Sequence, residues 1–150
     1  MAKTFKGRVI VAGNVSGESL VTGYGNSFNT LASYFKGIAA KSDICHDQNN
    51  PALYGKNLGG KVLCLPTTIG STTGGMFLQA AVDLGISPVA MLYAEHIDPV
   101  SAAGIVMADI WDNNQIITID QLGKEFLEYV KNGQMIEISM TGDVTVHDAK

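Results

Sequence analysis

The sequence predicts an α/β domain, β-rich through its first third and alternating between helices and strands afterwards. Three observations carry that expectation. Apolar runs of strand length recur at "GRVIVAG", "KVLCLP", "PVAMLYA" and "QIITID". Between the later runs, apolar residues fall at helical spacing and are bounded by capping and stop residues. Glycine reaches 17 of 150 residues, above the usual fraction of about 7%, which supplies tight turns and close backbone approaches. The length fits one domain, 1–150, large enough for a buried core.

Taken in order, residues 7–13 read as a strand and "ESLVT" (18–22) as a second, with a glycine-containing turn between them. The stretch 23–60 is rich in Gly, Asn, Ser and Asp and keeps no clear period. Within it, "SFNTLASYFKGIAA" fits a short strand or a short helix equally. A segment this long inside a compact domain is usually functional or an interface. "KVLCLP" (61–66) is a buried strand ended by Pro66. Met76, Phe77, Ala80, Ala81 and Leu84 then share a helical face, and Gly85 is the expected stop. "PVAMLYA" (88–94) is a strand. Asp98 followed by Pro99 starts the next helix, as a carboxylate N-cap with proline at the first position. "QIITID" (115–120) is a strand, and Asp120 is expected to cap a helix carrying Leu122, Phe126, Leu127 and Val130, with Gly133 at its end. "MIEISM" (135–140) alternates as a half-exposed strand, and "DVTVH" follows the "TGD" turn.

The composition excludes several classes. A hydrophobic fraction of 46% against 16% charged describes a globular chain and not a disordered one. A net charge of −4 and a pI near 5.2 argue against nucleic acid as partner. No stretch approaches the about 18 apolar residues of a spanning helix. "MAKTFKGRV" has basic residues but no apolar core of a signal peptide, so the expected location is cytoplasmic. Two cysteines make no disulfide framework.

The candidate site is "TTIGSTTGG", Thr67 to Gly75, which holds five hydroxyl side chains and three glycines between a strand and a helix. The free N–H groups of a helix's first turn carry partial positive charge, and glycines let an anion come close. The plainer alternative is that Thr72 or Thr73 is an N-cap and the glycines make a turn. No lysine follows the glycines, so this is not a P-loop, and the dinucleotide fingerprint is absent. Cys45, His46 and Asp47 are adjacent in sequence and cannot readily face one ion together. His96 lies at a strand end, where active sites of open α/β sheets collect, although a lone histidine there is more often structural or solvated. His147 reads as part of an inert tail. Glu95 and Glu18 read as solvated, structural or interface carboxylates. No metal site assembles from this chain alone. Arg8 is the sole arginine, so any clamp on an anionic substrate must use it, the lysines, the helix N-terminus or another subunit.

In order along the chain, "GRVIVAGNVSGESLVT", "PALYGKNLGGKVLCLP", "GSTTGG" and "AEHIDPVSAAGIVMADIW" together resemble the small, swivelling portion of the aconitase X family, over about residues 7–146. The resemblance implies a β/β/α sandwich like the swivel domain of aconitase, closing over an active site whose iron centre lies on a separate large subunit. It implies a hydro-lyase, acting on cis-3-hydroxy-L-proline in bacteria or on phosphomevalonate in archaea. The C-terminal half looks closer to the proline type. By the same resemblance Ser71 is the proton-abstracting base, with Gly70, Thr72, Thr73 and Gly74 around the substrate, while Tyr54, Gly55 and the long loop form an interface or a site wall. Ile69 stands where many members have arginine, Asn50 where many have histidine, and Gly75 where many have serine. A dehydratase small subunit would be inactive alone and would expose an apolar face where its partner is missing. The alternative is a non-catalytic anion-binding or regulatory module. A phosphohistidine carrier needs a histidine in the loop, and none lies between Cys64 and Tyr93.

Overall fold

The computed structural model describes residues 1–23, 26–27, 39–69, 74–111 and 114–149, with the backbone alone at 26–27, 69 and 74. Among the described residues ten strands are present: β1 (Lys3–Lys6), β2 (Arg8–Val11), β3 (Val15–Val21), β4 (Asn26–Ser27), β5 (Val62–Leu65), β6 (Thr68–Ile69), β7 (Ala90–Tyr93), β8 (Ile117–Asp120), β9 (Met135–Ile138) and β10 (Asp143–Val146). Three helices lie wholly within the described residues: α1 (Gly74–Asp83), α2 (Pro99–Trp111) and α3 (Lys124–Tyr129).

Eight strands form one sheet in the order β1-β10-β9-β3-β5-β7-β8-β2. Its two edge strands, β1 and β2, are joined by the single residue Gly7. A one-residue link cannot span a flat sheet of eight strands spaced about 4.8 Å apart, so the sheet curls until its edges nearly meet. Gly7 is required at the join. A Cβ there would lie 2.3 Å from the Asp120 carbonyl oxygen and 2.8 Å from Ile119 Cγ2.

The curl produces two layers. β3 crosses between them: Val15–Glu18 pair antiparallel with β9, and Ser19–Val21 pair parallel with β5. One layer holds β1, β10 and β9 in antiparallel register. The other runs parallel through β5, β7 and β8, with β2 antiparallel at its edge. Every residue of β5, β7 and β8 is buried, whereas β9 alternates exposed and buried. Strands buried on both faces need a cover on each. Ile136, Ile138, Val144 and Val146 of the antiparallel layer, Leu78, Ala81, Ile105, Ala108 and Phe126 of the helices, and Leu53 and Leu58 of the 39–60 segment join them in one buried core. The fold class that the resemblance implied, a β/β/α swivel domain, is the observed one.

Most elements fall where their signals place them. Gly85 closes α1 in a Schellman motif: φ is 70°, its N–H donates to Val82 O, and the Ile86 N–H donates to Ala81 O. Asp98 caps α2, its Oδ2 accepting from the Ser101 N–H at 2.9 Å. Two features of the fold were not anticipated, and one expectation needs correction. β1 was not foreseen, because "KTFK" carries one apolar residue and depends on pairing with β10. β2 and β3 are not paired with each other despite their short connection. Asp120 does not cap a helix. It ends β8, and α3 starts after Gly123 and stops at Tyr129, before Gly133.

Candidate functional site

β5, β7 and β8 run parallel, so their C-terminal ends lie together. The connections leaving them are Pro66 onward, Ala94–Asp98 and Gln121–Gly123. Backbone bonds extend the pairing past the strands, from Ala94 N to Leu65 O, Glu95 N to Pro66 O and Gln121 N to Glu95 O. The Gly/Thr loop leaves from this end. Gly70, Ser71, Thr72 and Thr73 lie outside the described residues, and Gly74 is the first residue of α1. The root of the loop is β6, which pairs parallel with β4, Asn26 with Thr68 and Ser27 with Ile69. The start of the 23–60 segment is thus tied to the start of the loop.

A buried polar cluster fixes that root to α2. Thr68 Oγ1 donates to Asp98 Oδ1. Ser101 Oγ donates to Thr68 Oγ1 at 3.0 Å. Asp98 therefore satisfies both the N-terminus of α2 and a hydroxyl of β6, and its two oxygens are divided between them. The Tyr93 hydroxyl lies in the same cluster beside Thr68 and Ser101, and burial pushes its phenol up. Thr67 Oγ1 donates to the His96 carbonyl at 3.4 Å. Sequence reasoning found Asp98 as a cap but missed Thr68, Ser101 and Tyr93. The spacing Asp98-x-x-Ser101 was visible, but the partnership with Thr68, 30 residues earlier, exists only in the fold.

The sole arginine is committed elsewhere. Arg8 Nε and Nη2 donate to Asp120 Oδ1 and Oδ2 at 2.9 and 2.6 Å, a bidentate pair. Asp120 is fully buried and also accepts the Ile97 N–H at 2.9 Å. Burial alone would push the Asp120 carboxyl up. The Arg8 hydrogen bonds, the Ile97 N–H and the charges of Arg8 and His96 outweigh it and hold the carboxyl below its usual range. The Arg8 guanidinium is raised by the same bonds.

The 39–60 segment is more ordered than its composition implied. Ile44 and Asn57 form an antiparallel bridge, and Cys45 N donates to Lys56 O. Leu53 and Leu58 are buried in the core. Cys45 and Asp47 are buried while His46 between them is exposed, so the three do not converge. Among the described residues no group of three or more His, Cys, Asp or Glu is placed to hold a metal ion. Asn50 is buried, with Oδ1 accepting from Thr22 Oγ1 at 3.2 Å. Its Nδ2 has no hydrogen-bond partner among the described residues. Tyr54 is half exposed, and Gly55 sits at φ 76°. His96 and Glu95 are exposed. No helix of the described residues is long and apolar enough to cross a membrane.

Residues 4–146 match the aconitase X swivel domain family. The chain belongs to that family. A relative of this swivel chain, the phosphomevalonate dehydratase small subunit of Methanocella arvoryzae, is 29% identical over 139 residues, covering 93% of this chain and 95% of that one. The cis-3-hydroxy-L-proline dehydratase of Pseudomonas aeruginosa is 34% identical over 102 residues, which are 68% of the swivel chain but 16% of that protein. The fold is shared with Thermococcus kodakaraensis aconitase X in its holo-form, at TM-score 0.78 and 23% identity, over 97% of the swivel chain and 99% of the other.

Proposed function

We propose that this chain is the small subunit of a two-part, cytoplasmic hydro-lyase of aconitase X type, inactive without its large subunit, with Ser71 as the proton-abstracting base. The observation that carries the reading is the family match across residues 4–146, with relatives named as dehydratase subunits. Both substrates named among those relatives are 3-hydroxy acids, so the reaction takes a proton from the carbon next to the carboxylate and expels hydroxide from the next carbon. The Ser71 alkoxide accepts that proton, a carbon–carbon double bond forms and the carbon–oxygen bond breaks; the departing hydroxide takes up a proton to leave as water, and Ser71 returns its own to solvent. A serine oxygen is a weak base unless its anion is stabilised. Oriented N–H groups at the α1 N-terminus would stabilise it in a closed, dry site. Gly70, Thr72, Thr73 and Gly74 would hold the substrate carboxylate by backbone N–H and hydroxyl groups. The iron centre, on the large subunit, would assist departure of the hydroxide as a Lewis acid.

The preferred substrate is cis-3-hydroxy-L-proline. Arg8 is engaged by Asp120, and Ile69 at the root of the loop is uncharged. Among the described residues, neither offers a free positive charge to a substrate as anionic as phosphomevalonate, and a zwitterionic amino acid needs less. Phosphomevalonate is the second reading, favoured by the nearly full-length match to a small subunit of that dehydratase. The test is to reconstitute the chain with the aconitase X-type large subunit of the same organism and offer each compound. Formation of the unsaturated product from cis-3-hydroxy-L-proline, and not from phosphomevalonate, is expected. The reverse preference establishes the second reading. No turnover of either compound by an intact, iron-loaded complex leaves the anion-binding module as the better account.

A further inference from the structure

α2 has no polar face. Its buried side is Ser101, Gly104, Ile105 and Ala108. Its exposed side is Pro99, Ala103, Val106, Met107, Ile110 and Trp111, all apolar, with Ile110 68% and Trp111 73% exposed. Asp109, half-buried beside the stripe, is the only charged residue of the helix. A helix apolar on every side is a buried helix, and this one is buried on one side only. Six large-to-small apolar residues in one continuous stripe are not the scattered surface hydrophobics of an ordinary monomer.

The stripe is continuous with the candidate site. It begins at Pro99, next to the Asp98–Thr68 bond that roots the Gly/Thr loop. Across a shallow groove it faces Met76, in the first turn of α1 directly after the loop and 69% exposed. A body that covers the first turn of α1 at Gly75 and Met76 therefore also lies over α2. In the Pseudomonas aeruginosa dehydratase the matching segment is 16% of one longer chain, so there the rest of the enzyme is covalently joined to the matching portion.

We infer that the outer face of α2, with Met76, is the surface on which the large dehydratase subunit docks, through an apolar patch of its own. This rests on the two-part hydro-lyase reading above and adds the surface to it. An uncharged stripe gives an interface dominated by apolar burial, with little dependence on salt.

The test is binding of the full chain to the purified large subunit of the same organism, wild type against Met107→Glu/Ile110→Glu. Met140→Glu, on the exposed turn after β9, is the control. The double variant is expected to bind more than tenfold more weakly with an unchanged melting temperature, and the control to bind as wild type. Amide hydrogen exchange of the wild-type chain should slow across residues 99–111 in the complex, which reads the face without any substitution. Undiminished binding by a folded double variant, or no added protection at 99–111, overturns the surface while leaving the two-part reading intact. Failure of the wild type to bind the large subunit overturns both. Self-association of the wild type through this face, lost in the double variant, assigns the stripe to a second copy and overturns the proposal.

Discussion

Asp120 shows how one residue can look alike in two roles. An aspartate two residues before an apolar helical pattern reads as a cap, and sequence alone assigns it so. In the fold it is the buried partner of Arg8 and of the Ile97 N–H. The partners lie 112 and 23 residues away, so no local pattern contained them. The pair is asymmetric, because Arg8 is half exposed while Asp120 is fully buried. Arg8→Met leaves the Asp120 carboxylate without its bidentate partner and should destabilise the fold near neutral pH, more than Asp120→Asn does. Asp120→Asn leaves an arginine that water can solvate and should cost about 1–2 kcal/mol. The folded-state carboxyl is depressed, so its contribution is present above the unfolded carboxylate pKa and is lost as pH falls through the folded one. Denaturant titrations of both variants from neutral to acid pH should show the Arg8→Met deficit shrinking as the buried carboxyl protonates. The site's hydroxyl cluster was partly legible for the same reason. Asp98 was found because capping is local, while Thr68 was not, because its bond to Asp98 is tertiary.

At the scale of elements, the legible ones carried their own signals. β5, β7 and β8 are uninterrupted apolar runs, α1 ends on Gly85, and α2 begins at Asp98–Pro99. β1 has no apolar run and exists by pairing. Illegible too was the reason for Gly75 and Gly104. A Cβ on Gly104 would lie 2.2 Å from the Gly75 carbonyl oxygen, and one on Gly75 would lie 2.5 Å from the Val100 carbonyl oxygen. α1 and α2 therefore cross backbone against backbone, and that crossing sets where α1 starts relative to the cluster of Thr68, Asp98 and Ser101. Gly104→Ala gains about 1 kcal/mol of helix propensity but must push two helices apart, at about 3 kcal/mol. The net expectation is a loss of about 2 kcal/mol and a fall in Tm of roughly 4–8 °C, measurable by calorimetry.

For the whole molecule, the closed sheet and the loop belong to one design. Gly7 lets the two sheet edges meet, and Phe5 on β1 packs edge-on against Phe126 of α3 with centroids 5.3 Å apart. A two-layer sheet with parallel strands on the helical side gathers three strand ends at one place, and the Gly/Thr loop, the β4–β6 pair and the apolar stripe of α2 all emerge there. The α/β class was legible from periodicity and the layered arrangement from ordered resemblance. The closure was not, because it depends on which edges meet. In the proposed reaction Ser71 of this chain removes the substrate proton once the large subunit is in place. Product formation from cis-3-hydroxy-L-proline by the reconstituted complex carrying Ser71→Ala, with complex assembly and substrate binding followed alongside, tests that role. A loss of turnover of at least about 100-fold is expected, the scale of a removed general base, with assembly and binding retained. A Ser71→Ala complex that assembles, binds and turns over like wild type would contradict it.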